Sequence, residues 1–145
     1  MSIKMNLTEE KFQTLLKLAY LGNYIVNGFR EDDRLDEYEQ TTDELFDLAG
    51  ELEQPDIEYD EELKLHFPSQ DFEDEMGEHI EAFEDHSFWL QLIDRLSWRD
   101  MLQTIGEKEA AAMNPQEQSE KVHPFEEKYF SEIEKNGLKN IRIKE

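Results

Sequence analysis

The sequence predicts an all-α fold: a single domain over residues 1–145, a bundle of about five helices around a central, apolar first helix. Three observations predict it. Apolar residues recur at helical spacing in long stretches. Gly50, Gly106, Gly137, Pro55, Pro68 and Pro115 fall between those stretches, where helices end. Alternation of the strand type is confined to Ile57-Glu58-Tyr59 and to Leu138-Lys139-Asn140-Ile141-Arg142-Ile143. Any sheet is therefore minor, a two-stranded element involving the C-terminal tail.

The first helix opens at Thr8, which suits an N-cap, with Leu7 and Phe12 placed as a hydrophobic staple and Glu9 and Glu10 in the first turn. Its apolar run from Phe12 to Phe29 covers well over half the circumference, more than a surface helix needs. That width predicts a helix touched on several sides. A second helix is expected over residues 33–49, stopping at Gly50. Residues 51–69, with Pro55 and Pro68, read as an irregular crossover carrying a short strand at residues 57–59. A third helix follows Pro68 with Ser69 as its cap; Phe72, Met76, Ile80 and Phe83 form its narrow apolar stripe. Ser87 is placed to cap a fourth helix that ends at Gly106, with Ser97-Trp98 as a joint inside it. Residues 107–115 read as a link. A fifth helix over residues 116–136 is expected to turn Phe125, Tyr129, Phe130 and Ile133 inward, with a break at His123-Pro124.

Charge narrows the function. The chain holds 37 acidic and 15 basic residues, a net charge of −22. Residues 31–86 carry 24 of the acids and only Arg34 and Lys64 as bases, so this middle segment holds the whole imbalance. Such a surface opposes direct binding to nucleic acid, whose affinity rests on Lys and Arg contacts to phosphate. It also opposes docking on anionic lipid. No apolar run approaches the about 20 residues of a membrane helix, and no signal peptide opens the chain; a cytoplasmic location is the expectation. Cysteine is absent, which excludes disulfides, thiolate metal sites and Cys nucleophiles.

The remaining chemistry is sparse. Glu75, Glu78 and His79 share a helix, and Glu75 and His79 are four residues apart, a spacing able to hold a metal. A solvated acidic helix gives the same pattern, and no cofactor is expected. Glu120-x-x-His123 is half of a carboxylate-bridged di-metal motif, with no second copy in the sequence. Glycine is missing from residues 51–76, so the acids there cannot form a calcium loop of the EF-hand type. No Gly-x-Ser-x-Gly elbow or phosphate-binding glycine loop occurs, and no catalytic residue is assigned.

Polar residues inside the apolar helices are more telling. Asn23, Asn27 and Arg30 lie on one face of the first helix, and Arg95 and Arg99 lie one turn apart on the fourth. Buried polar groups must be hydrogen-bonded, so these five predict either an internal network joining helices or a small pocket for an anion.

Residues 12–30 (FQTLLKLAYLGNYIVNGFR) and 88–102 (FWLQLIDRLSWRDML), with the trailing helix and tail, resemble a family of small, acidic, uncharacterised bacterial proteins, a domain of unknown function. The resemblance implies a bacterial, cytoplasmic protein and carries no activity with it.

The leading functional expectation is a non-enzymatic protein that uses its negative surface to bind a basic protein partner. Asp32, Asp33, Asp36, Glu37, Asp43, Glu44, Asp47, Glu73, Asp74 and Glu81 are the candidate contact residues. One alternative is a nucleic-acid mimic that inhibits a DNA-binding protein; another is a small helical metal-dependent enzyme. Self-association through the apolar first helix and the Phe88-Trp89-Leu90 cluster is a further expectation.

Overall fold

The computed structural model describes residues 4–142. Among these it contains α1 (Glu9–Asn27), α2 (Asp36–Glu51), β1 (Ile57–Asp60), β2 (Leu65–Pro68), α3 (Gln70–Ile105), α4 (Glu107–Ala112) and α5 (Pro115–Asn136). The contacts divide the chain into two compact units, one up to Ala82 and one from Phe83. The long helix α3 contributes its first part to unit 1 and its second part to unit 2.

Unit 1 is built on α1 and α2. Thr8 caps α1 as its sequence suggests, its hydroxyl accepting from the Lys11 amide at 3.4 Å. Leu16 of α1, Phe46 and Ala49 of α2, and Phe72 and Met76 of α3 form the buried core. Phe72 meets Tyr20 and Phe46 edge-on, with ring centroids 5.5 and 5.6 Å away, the arrangement that ring quadrupoles favour.

Within unit 1 the first helix is covered on one side. Leu18 and Ile25 are 61% and 56% exposed and lie about 180° round the helix from Leu16; Phe29, in the turn after α1, is 75% exposed. Its apolar width is an amphipathic core face plus a second apolar strip that the described residues leave open. Such a strip adds to the hydrophobic count without adding to the core.

The sheet is also elsewhere than expected. β1 and β2 form an antiparallel hairpin, with Ile57 opposite Pro68 and Asp60 opposite Leu65. The reading of residues 57–59 as a strand holds, but its partner is residues 65–68 and not the tail. Residues 138–140 form a turn after α5, and Ile143 lies outside the described residues. The hairpin closes because the Asp60 carboxylate accepts from the Glu62 and Leu63 amides at 2.7 and 2.9 Å, a local side-chain turn.

The hairpin docks on α2 at His66. Its backbone amide and ring Nδ1 both meet Asp47 Oδ1, at 2.9 and 3.1 Å. The ring crosses α2 at Gly50, where an added Cβ would stand 2.0 Å from it. Gly50 is therefore not the expected stop of α2, which runs on to Glu51; it is the gap through which the hairpin approaches. Gly50→Ala is expected to cost about 1–3 kcal/mol, as overpacking does, and to speed amide exchange in residues 57–68 relative to the rest of unit 1. Chemical denaturation with hydrogen-exchange mass spectrometry checks both.

α3 is one helix of 36 residues rather than two. Ser69 does cap it, its hydroxyl accepting from the Phe72 amide at 3.3 Å. Ser87 does not open a new helix. No proline or glycine separates it from the preceding turn, so nothing competes with continued helical hydrogen bonding. Trp89 donates its indole N–H to Asp85 at 3.1 Å across the expected boundary. Ser97 is no joint either: it is buried, and its hydroxyl donates to the Ile93 carbonyl one turn back at 2.7 Å.

In unit 2, Met101, Ala110 and Val122 are buried, with Trp98, Leu102, Ile105 and Phe125 against them. Gly106 ends α3 at φ 86° and precedes the short α4, which occupies part of the expected link. Asn114 and Glu117 form a capping box at the start of α5. Pro124 lies within α5 without ending it; having no N–H, it leaves the Glu120 carbonyl without its helical donor. Gly137, at φ 54°, closes the helix.

Candidate functional site

The acids of α2 form one face. On α2, Asp36, Glu37, Asp43, Glu44 and Asp47 fall with Glu39 and Glu51 on an arc of roughly 160°. The buried residues Thr42, Phe46 and Ala49 occupy the opposite side. On the first part of α3, Asp74 and Glu81 lie opposite Phe72 and Met76, and Glu73 lies at the flank of that core face. Asp36, Glu37, Asp43, Glu44, Glu73, Asp74 and Glu81 are all exposed, as are Asp32 and Asp33 in the turn before α2. Burial of the α2 core face leaves its polar residues no other direction, so the amphipathic pattern itself sorts the charge.

Few of these acids have a cation. Arg30 pairs with Asp33 at 2.7 Å, Arg34 with Glu39 at 2.9 Å and Lys17 with Glu75 at 2.5 Å. Asp47 differs from its neighbours. The two bonds from His66, led by the backbone amide, hold its carboxyl below the usual carboxylate range, so it serves the hairpin rather than a free ridge. Asp43 shows the crowding directly: partial burial, followed by repulsion from Glu39 and Asp47, pushes its carboxyl above the usual range.

The metal candidates are not assembled. Lys17 holds both Glu75 oxygens, at 2.5 and 2.7 Å, while Glu78 and His79 are exposed. Among the described residues, no group of three or more His, Asp or Glu side chains is arranged to hold a metal. His123 stands 3.6 Å from both Glu126 and Glu127 on its own helix.

The five polar candidates separate into two places. Asn27 is 1% exposed. Its carbonyl accepts from the Leu35 amide at 2.8 Å, and its NH2 donates to the Leu35 carbonyl at 3.1 Å and to Asn23 at 2.8 Å. Arg30 donates to the Val26 carbonyl at 2.8 Å and pairs with Asp33. This is the internal network, confined to the end of α1 and the turn into α2. Arg95 and Arg99 belong to unit 2, where Arg95 is exposed and Arg99 bonds Asp100 at 2.7 Å and the Tyr129 hydroxyl at 2.9 Å.

Asp100 is the strongest electrostatic centre in unit 2. It accepts a very short bond from the Tyr129 hydroxyl and further bonds from Arg99 and Lys128. The Tyr129 hydroxyl above all, then the two cations, hold its carboxyl down to about 2. Burial, followed by the same carboxylate, pushes the Tyr129 phenol above its usual value. A carboxyl depressed on folding stabilises the folded form above its unfolded value near 4, and that contribution is lost as pH falls through about 2. Tyr129→Phe removes the leading donor. Its deficit relative to the parent, on the order of 1 kcal/mol, is expected at pH 5–7 and to shrink below pH 3, as urea melts at each pH would measure.

Unit 2 also carries an open groove of about 590 Å³ between the second part of α3 and α5. Phe130 lines it and is 57% exposed, not inward as its spacing suggests. Leu90 and Phe88, from the cluster singled out in the sequence, are 48% and 51% exposed.

No known protein family matches the chain, and no curated protein or solved structure does. Among the described residues, no helix is long and apolar enough to cross a membrane.

Proposed function

We propose that this is a non-enzymatic interaction protein whose acidic faces on α2 and the first part of α3 bind a basic protein partner. The observation that carries this reading is the one-sided ridge of exposed carboxylates on α2, set opposite the buried face of the same helix. Asp32, Asp36, Glu37, Asp43 and Glu44 are its contact residues. Carboxylates crowded on one helix edge add their fields, attracting cationic surfaces and repelling anionic ones. The bacterial, cytoplasmic setting implied by the family resemblance belongs to the same proposal.

The test is capture of partners from a lysate of the native host at low and high salt, then titration of the purified partner. Exposed charges are screened beyond about 8 Å at physiological ionic strength, so retention should fall steeply with salt. Neutralising Asp36, Glu37, Asp43 and Glu44 as Asn or Gln should weaken binding about tenfold, on the order of 1.4 kcal/mol, with no loss of fold. Equal retention at both salts would sink the reading. The one-sided ridge also favours nucleic-acid mimicry, since duplex DNA presents about one charge per 1.7 Å. Competition between the captured partner's DNA and this protein would select that form of the proposal.

A further inference from the structure

The groove in unit 2 pairs an apolar floor with an anionic rim. Leu90, Ile93 and Phe130 form the floor, and Asp94, Glu126 and Glu134 stand along the edges. Its lining includes His123 but neither lysine nor arginine. A second depression of about 370 Å³, lined by Trp89 and Ile133, continues it and shares Ile93, Phe130 and Glu134. The two make a strip along α5 from His123 to Glu134, with carboxylates in its lining. We propose that this strip is a docking groove for a basic amphipathic helix, which lays its apolar face on Phe130, Leu90 and Trp89 and sets its lysines or arginines against the rim.

Two features select this occupant. Leu90 and Phe130, 48% and 57% exposed, offer the apolar anchors a helix takes, and a lining that runs about three turns along α5, from His123 to Glu134, suits a helix better than a compact ligand. The rim, with its carboxylates unmatched by lysine or arginine in the lining, sets the sign of the partner's polar flanks. The groove lies apart in sequence from the α2 ridge, so the proposal stands or falls without it.

The test uses the full chain and a fluorescent leucine–lysine peptide of about four helical turns, followed by anisotropy. Saturable binding is expected, accompanied by a shift of the Trp89 indole N–H signal in nuclear magnetic resonance. Phe130→Ser with Leu90→Ser should weaken it at least tenfold; both residues are half exposed or nearly so, so the fold tolerates the change, as circular dichroism would check. Glu126→Gln with Glu134→Gln should weaken it about fivefold at low salt and little at high salt. Asp36→Asn with Asp43→Asn on α2 should leave it within twofold. Absence of binding would overturn the proposal. So would equal affinity for a scrambled peptide of the same composition, or a loss on the α2 variant as large as on the groove variants. A dimer in sedimentation that Phe130→Ser turns to monomer would assign the groove to a second copy of this chain and overturn it likewise.

Discussion

Phe72→Ala is expected to cost about 3–5 kcal/mol, the range for removing a buried ring. Phe72 is 5% exposed and lies in the cluster with Leu16, Phe46, Ala49 and Met76. The ring joins elements that are distant in sequence, because Tyr20 of α1 and Phe46 of α2 both meet its edge or face. The cavity left by alanine cannot be filled by rotation of either ring without losing its other packing, so little of the lost volume is recovered. Phe72→Leu keeps apolar volume and should recover more than half of the loss. Urea unfolding read by circular dichroism measures both. A deficit under about 1 kcal/mol for Phe72→Ala would mean that the start of α3 is not docked on α1 and α2. Phe83→Ala, by contrast, should cost less than about 1 kcal/mol, since Phe83 is 58% exposed although it belongs to the same sequence stripe.

That contrast marks what the sequence makes legible. Helix identity is local: caps such as Thr8, Ser69 and Asn114, and the apolar spacing of α2, act within a turn or two and can be read from residue types. Where a helix packs is not local. Phe72 and Phe83 have the same chemistry and share a stripe, yet Phe72 is buried against α1 and α2 while Phe83 is exposed. Phe130 repeats the lesson in unit 2, exposed where periodicity turns it inward. The hairpin was half visible, because Ile57 and Tyr59 alternate, whereas its partner strand, Leu65 to Pro68, ends in a proline that hides the signal. The acidic faces were legible as composition, and their one-sidedness followed from the amphipathic pattern. The Asp100–Tyr129 and Asp47–His66 pairs were not, because the two residues of each pair are brought together by folding across 29 and 19 positions.

Asn27 is the polar counterpart of Phe72, and its replacement is the second large effect expected. The side-chain amide presents a donor and an acceptor to the two backbone groups of Leu35, as a neighbouring strand would. Leu35 is the N-cap residue of α2 and has no side-chain cap of its own, so Asn27 fixes the start of that helix from outside. Asn27→Ala strands the Leu35 amide, whereas the Leu35 carbonyl keeps its bond from the Tyr38 amide at 3.2 Å; a cost of about 1–3 kcal/mol is expected where water cannot reach the amide. Asn27→Asp is the sharper experiment. Ionised, the introduced carboxylate still accepts from the Leu35 amide but faces the Leu35 carbonyl and Asn23 oxygen with no proton to donate. Protonated, it can donate again. Its pKa in the folded variant therefore rises above the unfolded value, and the stability it recovers is present at low pH and lost as pH increases through that raised value. The gap between Asn27→Asp and the parent should widen from pH 4 to pH 7, while the gap for Asn27→Ala stays level. Parallel pH dependence of the two variants would mean that the Asn27–Leu35 clasp is not what holds the entry to α2, and with it the carboxylate ridge that begins at Asp36.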